Sequence, residues 1–513
     1  MSFVGVLLVE CPPVRRLAAL PSYRWLVVGT VCIGAFLGQL DASIAGLVLP
    51  TLEEVFHAPL ASLEWVAISY LLTLAALVVP FGRLADMVGR KLLYALGFLV
   101  FIAGSALCGL APALGWLVAF RVVQAIGAAM LQANSVAIIA AAARPRELGK
   151  AIGIQGAAQA IGLAVGPSVG GFLIGTMGWQ WVFFIAVPFG LLGALLGWLI
   201  LPETRPLARR ETAATMTGQR ERFDWRGAAL FGPAIAAALV ALTFGNSWGW
   251  TSAPLLASAG LALALIAGFL VVERQARFPL VDLTLFRCRL FTAGIVAGLL
   301  SYAVLFGGLF LVPFYLERIL RQPPGETGLL LSPVPLALGV VAPIAGTVTD
   351  RAGSRLPTVM GMALALVALM MLAFLPAAPA PVLAGALALL GAGLGLFTPP
   401  NNSAIMSSAP AHRLGVAGGI LNMTRSLGTS CGVAATGAVL ATRLAAHAGG
   451  RVGRTISLGP AVLLPAFRET MLFLALLAAL GALISGVRGA TVPGTGSQRS
   501  VEGRLAAAEA AGA

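Results

Sequence analysis

The amino-acid sequence predicts an all-α membrane protein built from two related helical halves. Three observations carry this. The 513 residues are 59% hydrophobic and 10% charged, with a mean hydropathy of +0.95. Runs of about 20 apolar residues, each enough to cross a ~30 Å hydrocarbon core as a helix, recur along the whole chain. A charged skeleton also repeats. Gly346, Asp350 and Gly353 reproduce the spacing of Gly82, Asp86 and Gly89, displaced by 264 residues (346 − 82). Only helices and closed barrels satisfy their backbone in lipid, and long unbroken apolar runs exclude a barrel. The 62 glycines and 31 prolines do not argue against membrane helices.

Fourteen spans are predicted. Span 1 (Leu26–Leu49) carries Gln39-Leu40-Asp41-Ala42-Ser43-Ile44 and ends at Leu49-Pro50. Span 2 (Trp65–Phe81) leads into a charged loop, Gly82–Lys91, and span 3 (Leu92–Ala111) follows it. Span 4 (Trp116–Ala142) contains Arg121, and span 5 (Ala151–Gly175) contains a glycine-rich string with Pro167. Span 6 (Trp181–Leu201) ends the first half. Spans 7 (Gly227–Phe244) and 8 (Leu255–Val272) lie outside the repeat and are an inserted pair. Spans 9 (Leu290–Leu316) and 10 (Leu329–Val348) precede the second charged loop, and spans 11 (Thr358–Leu375), 12 (Val382–Asn401), 13 (Val416–Leu440) and 14 (Thr470–Val487) complete the second half.

The organisation is therefore a cytoplasmic tail over 1–23, a six-helix bundle over 24–201, a basic linker over 202–226, the inserted pair over 227–272, a linker over 273–289, a second six-helix bundle over 290–487 and a disordered cytoplasmic tail over 488–513. Orientation follows from the bias of Lys and Arg towards the cytoplasmic side. Of 33 such residues, 25 fall on the side of the two tails and six on the other, while Arg121 and Arg425 lie inside spans. Both termini are expected in the cytoplasm. The segment 441–468 dissents with four arginines on the outer side, where loop length weakens the bias. Trp65, Trp116, Trp179, Trp181, Trp248 and Trp250 mark outer span ends, and Trp25 and Trp225 inner ends, as an aromatic belt does.

Several function classes are excluded. The net charge of +14 sits in short loops and forms no continuous face, so nucleic acid is not the partner. Five scattered cysteines without a CxxC pair offer neither a disulfide framework nor a metal site. There is no GxxxxGK[ST] loop, so ATP does not drive the protein directly. HExxH is absent, no serine sits at a strand-to-helix elbow, and His57, His412 and His447 lie in loops or near span ends, so no membrane hydrolase is indicated. The use of Arg over Lys, with abundant Ala and Gly, suits a GC-rich bacterial genome.

The chemistry-bearing residues are few. Asp41 is the acid placed well inside a span, and Arg121 is a charge inside another; such residues are functional candidates because charge in lipid is expensive. Counting at 1.5 Å per residue puts Asp41 about 12 Å and Arg121 about 8 Å from the outer ends of their spans, at similar depth. On span 4, Gln124, Ala128, Gln132 and Ser135 share the stripe of Arg121. On span 5, Gly162, Gly166 and Gly170 share a face, followed by Gly171, with Gln155 and Gln159 on the same stripe; small residues every fourth position let a neighbouring helix approach. Thr398-Pro399-Pro400-Asn401-Asn402 is expected to break span 12, with Asn401 and Asn402 near substrate. Gly391, Gly393 and Gly395 lie within an apolar span and serve packing.

These motifs resemble the major facilitator superfamily, and within it the fourteen-span drug:proton antiporter family. Gly82–Lys91 resembles its signature loop. Arg121–Gly127 resembles its span-4 motif, with Ala125 where glycine is usual. Gly162–Gly171 resembles its antiporter string. Gln39–Ile44 resembles its first-helix motif, with Ser43 and Ala45 where Thr and Asn are commoner. The resemblance covers about residues 24–487 and is strongest in the first half. It implies two six-helix bundles around a central cavity plus the inserted pair. It also implies a bacterial inner-membrane exporter that exchanges an amphipathic or cationic compound for an incoming proton, multidrug efflux by alternating access. On that reading Asp41 and Arg121 couple the proton. Gln39, Gln124, Gln132, Gln155, Gln159, Asn401 and Asn402 face the cavity. Gly82, Asp86, Gly89, Arg90, Lys91, Gly346, Asp350, Arg351 and Gly353 form a conformational latch. Gly162, Gly166, Pro167, Gly170 and Gly171 form the packing motif. The proton gradient replaces any cofactor, and the partners are lipid, a small-molecule substrate and protons, with the chain monomeric. A dedicated exporter of one metabolite, lipid or antibiotic stays open, as do a solute importer and a non-transporting scaffold.

Overall fold

A computed structural model describes residues 13–487, except 46, 59, 205–221, 323, 375–378 and 448–459. The long helices are α1 (Tyr23–Ala45), α2 (Trp65–Val88), α3 (Arg90–Gly109), α4 (Leu114–Ala142), α5 (Leu148–Thr176), α6 (Trp181–Ile200), α7 (Trp225–Trp248), α8 (Ala253–Gln275), α9 (Arg289–Arg318), α10 (Glu326–Ala352), α11 (Arg355–Phe374), α12 (Ala380–Ser408), α13 (Leu414–His447) and α14 (Ala461–Val487). Thirteen of these, all but α13, are long and apolar enough to cross a membrane. No strand occurs among the described residues. Helix α13 matches the predicted span 13 in position but runs for 34 residues and carries Asn422, Arg425 and several hydroxyls.

Helices α1–α6 pack on one another, as do α9–α14. The seam between the halves is made chiefly where α5 meets α10 and where α2 and α4 meet α13. The apolar core of the first half, including Val78, Val79, Ala133 and Ala137, runs on into Val416, Ala417 and Ile420 at the start of α13. The inserted pair is peripheral. Helix α7 rests on α2 and α13 at the seam, and α8 packs on α7. Leu256, Leu261, Leu263 and Val271 of α8 are exposed, which suits a helix bathed in lipid. The side chain of Asp224 caps the start of α7 by accepting from the Gly227 amide at 2.8 Å.

Three local expectations are corrected. Gly82–Lys91 is not a loop. Gly82 to Val88 is the last two turns of α2, and α3 begins at Arg90, so the reversal rests on Gly89. Its φ of 118° is open to glycine and strained for other residues. Gly353, at φ 80°, does the same between α10 and α11. Second, Pro399 and Pro400 do not break α12. The helix is held on both sides by its own glycines. Gly391 faces the backbone of Val334, Gly395 that of Leu338, and Gly393 that of Gly361. Third, Trp179 is 6% exposed and packs edge-on against Phe56 and Phe183 instead of joining a belt; the other five outer tryptophans are exposed. The tail expected at 488–513, Cys11 and most of the segment between α13 and α14 lie outside the described residues.

Candidate functional site

Asp41 and Arg121 meet. Nη1 of Arg121 donates to both carboxylate oxygens of Asp41, at 3.0 and 2.9 Å. The residues are 8% and 1% exposed. Gln124 closes the network: its Oε1 accepts from Arg121 at 2.7 Å and its Nε2 donates to Asp41 at 2.9 Å. Arg121 Nε donates to the Val66 carbonyl at 3.0 Å, and its guanidinium lies over the Tyr70 ring, 4.3 Å from the centroid. Ser105 accepts from Gln124 at 3.2 Å and donates to the Phe183 carbonyl at 2.8 Å. A buried charge needs a partner and filled hydrogen bonds, and this pair has both. Tyr70, Ser105 and the Val66 carbonyl are members that sequence reasoning missed. They are ordinary residues of apolar spans, and only helix packing brings them here.

The glycine string of α5 holds α1 beside this network. A Cβ at Gly162 would lie 2.6 Å from the Phe36 carbonyl, one at Gly166 would strike Ser43, and one at Gly170 would press on Ile44. Helices α1 and α5 thus approach as closely as glycine permits. Gly171 is the exception, since a Cβ there meets nothing within 4 Å. Pro167 is exposed and sits in an unbroken helix. Neither of these two residues belongs to the contact.

A cavity lies between the halves. Its walls are mostly apolar, with Leu163, Leu305, Phe306 and Leu338, and Gln39, Gln159, Tyr302 and Arg425 supply polar groups. Two smaller hollows adjoin it through Gln159 and Arg425 and add Gln155, Asn402 and Gln132. Two expected lining residues are elsewhere. Gln124 is fully buried against Asp41, and Asn401 is 1% exposed and donates to the Gly294 carbonyl at 2.9 Å. Both share a helix with true lining residues, but they face the neighbouring helix of their own half.

Two reciprocal locks close one end of the seam. Asp86, on α2, accepts from the amides of Gly415 at 2.9 Å and Val416 at 3.0 Å, the free N–H groups that open α13. Asp350, on α10, accepts from the amides of Gly149 at 2.7 Å and Lys150 at 2.8 Å, which open α5. Glycines make the approach possible. A Cβ at Gly82 would run into the Gly415 carbonyl, and one at Gly346 into that of Gly149. Arg90 adds a clamp to the first lock, donating to Asp86 at 2.7 and 3.0 Å and to the Ala411 carbonyl at 2.9 Å. Lys91 is buried, and its amide donates to Thr204 at 3.0 Å. Arg351 is exposed at the second lock.

Comparison with known proteins identifies the frame. The sequence profile of the Major Facilitator Superfamily matches residues 31–227 and 224–433. The chain belongs to that superfamily. It is a helical membrane transporter of small molecules and not an enzyme. It is 34% identical over 414 residues to the riboflavin transporter RibZ of Clostridioides difficile (strain 630), covering 80% of this chain and 87% of that protein. It is 32% identical over 415 residues to the multidrug resistance protein Stp of Mycobacterium tuberculosis, covering 81% and 75%. The solved proton:xylose symporter XylE shares the fold, with a TM-score of 0.62 over 92% of this chain and 97% of that one at 16% identity.

Proposed function

We propose that this superfamily member is a proton-coupled antiporter that exports amphipathic small molecules. It works as a monomer with fourteen spans in a bacterial cytoplasmic membrane, with both termini inside and no bound cofactor. The observation that carries the reading is the buried Asp41–Arg121–Gln124 network, an ionisable carboxylate whose charge is balanced by one guanidinium. Protonation of Asp41 removes that balance and weakens its hold on Arg121. Gln39, two residues from Asp41 on α1, lines the cavity, so a change in the pair reaches the wall that meets cargo. With the locks on the cytoplasmic side, the conformation described is closed towards the cytoplasm. Proton uptake and cargo then bias the same two-state rocking of the halves. Export is further supported by relatives named for multidrug resistance.

The test is efflux of amphipathic dyes from energised membrane vesicles, for wild type and Asp41→Asn, with and without an uncoupler. Uncoupler-sensitive efflux that falls at least ~100-fold in the variant is expected, the lower end of what losing a positioned proton-transfer group costs. Proton-dependent efflux at the wild-type rate in Asp41→Asn ends the carrier role. The relative named as a riboflavin transporter favours a second reading, transport of a single metabolite. Mutual inhibition among chemically unrelated dyes belongs to the first reading, and its absence to the second.

A further inference from the structure

Among the described residues that line the cavity and its two adjoining hollows, Arg425 is the one that is charged, and it borders all three. It lies ten residues from Gly415 (425 − 415), about 15 Å along α13 from the closed end, near the middle of a ~30 Å core. Its side chain is half-buried, and its hydrogen-bond partner among the described residues is the neutral side-chain amide oxygen, Oε1, of Gln132. A guanidinium has five N–H donors and keeps its charge, so one amide oxygen leaves most of its capacity unused. No carboxylate pairs with it among the described residues. Asp41, the buried carboxylate of the first half's network, is held by Arg121 and Gln124 and lines none of the three hollows. The contrast with Arg121 is direct: that guanidinium is neutralised, whereas Arg425 presents a net positive charge to an apolar chamber.

A charge of this kind in a chamber of low dielectric selects strongly among ligands. A cationic amphiphile would meet repulsion from Arg425 and would find no acid on the walls to offset it. An anion would fill the open donors of the guanidinium with charge-assisted hydrogen bonds, in the bidentate manner suited to carboxylate, sulfonate or phosphate oxygens. Tyr302 beside Arg425, together with Gln159 and Gln39, supplies further neutral polar groups, and Leu305, Phe306 and Leu338 supply apolar wall. We infer that Arg425 is the recognition cation of the cavity and that the favoured cargo is an apolar or aromatic body bearing one anionic group. This inference rests on the reading of the cavity as the cargo site, and it revises the expectation of cationic substrates drawn from the resemblance.

Two naphthyl dyes of nearly the same frame test it: 8-anilinonaphthalene-1-sulfonate carries the sulfonate, and N-phenyl-1-naphthylamine lacks it. Binding of each to the full-length protein in nanodiscs is measured by fluorescence titration for wild type, Arg425→Gln and Arg425→Lys, with a thermal melt of each as a check on folding. The expected result is at least a tenfold loss of sulfonate affinity in Arg425→Gln, a change within about twofold for the neutral dye, and partial recovery in Arg425→Lys, in keeping with the cost of removing one desolvated charge contact. Equal losses for the two dyes, no loss, or no saturable sulfonate binding in wild type overturn the inference. Transport is read separately. Arg425-dependent binding without uncoupler-sensitive export of the sulfonate sinks the exporter reading and leaves the anion site standing.

Discussion

Gln159 and Arg425 occupy matching places in the two halves of the molecule. Each lies ten residues beyond the glycine whose amide docks on the opposite half (159 − 149 and 425 − 415), and each lines the central cavity. One is neutral and the other is a cation. In the first half Asp41 and Arg121 neutralise one another behind the cavity wall, while the second half directs an unneutralised guanidinium into the cavity. The locks behind these residues differ much less. Asp86 and Asp350 each cap a helix N-terminus across the seam, over a glycine that lets two backbones touch. The comparison teaches what duplication preserves. Backbone amides and missing Cβ atoms are indifferent to cargo, so the locks stay alike, whereas wall residues diverge because a single asymmetric ligand meets both walls at once.

The largest effect should come from breaking the neutral pair. Arg121→Ala leaves the Asp41 carboxylate buried without a counter-charge. It is expected to destabilise the protein by about 3–5 kcal/mol, against ~1 kcal/mol for Arg425→Ala, whose loss strands no buried charge. Thermal denaturation of both variants in detergent checks this, and comparable losses would erase the distinction between the two arginines.

Next come the locks, where the comparison predicts similarity with one difference. Gly82→Val and Gly346→Val should each prevent closure at that end and reduce transport at least ~10-fold, because both put a side chain where a carbonyl already sits. Asp86→Asn should cost more than Asp350→Asn, since it also leaves the buried Arg90 guanidinium without its carboxylate. Transport rates, together with maleimide labelling of a cysteine placed at Gln155, measure both. Equal effects of the two Asp variants would show that Arg90 adds nothing to the first lock.

The smallest contrast lies within the α5 string. Gly166→Ala should impair transport, because its Cβ meets Ser43. Gly171→Ala should be silent in transport and raise stability by up to ~1 kcal/mol, because its Cβ meets open space and alanine favours the helix. A transport defect in Gly171→Ala would restore that residue to the motif from which the geometry removes it.

Much of the site was legible because it obeys local rules. The depth count placed Asp41 and Arg121 at similar depth because both lie on helices of known rise, although α1 ends at Ala45, short of the Leu49 from which the count ran. The spacing of Gly82, Asp86 and Gly89 marked the locks but not their partners, because an aspartate's spacing does not reveal which helix N-terminus it will cap. The charged run Gly82–Lys91 looked like a loop because it is polar, yet the end of a membrane helix can be polar and stay helical. Pro399 and Pro400 looked like a break because proline removes a backbone donor, yet α12 stays helical through both. Gln124 and Asn401 were assigned to the cavity by stripe, and a stripe does not say which of two neighbouring helices it faces.

By itself, then, the sequence determined that the chain crosses a membrane as helices, that it has two related halves, and which few polar residues must be accounted for. Apolar run length, glycine spacing and the cost of burying charge are local quantities, written along one strand of residues. Only the tertiary structure decided that Arg121 is neutralised and Arg425 is not, that each lock closes on a helix from the other half, and which glutamines see the cavity. Those outcomes depend on which surfaces meet across hundreds of residues, and in a chamber of low dielectric the presence or absence of one opposing carboxylate sets the sign of what it will hold.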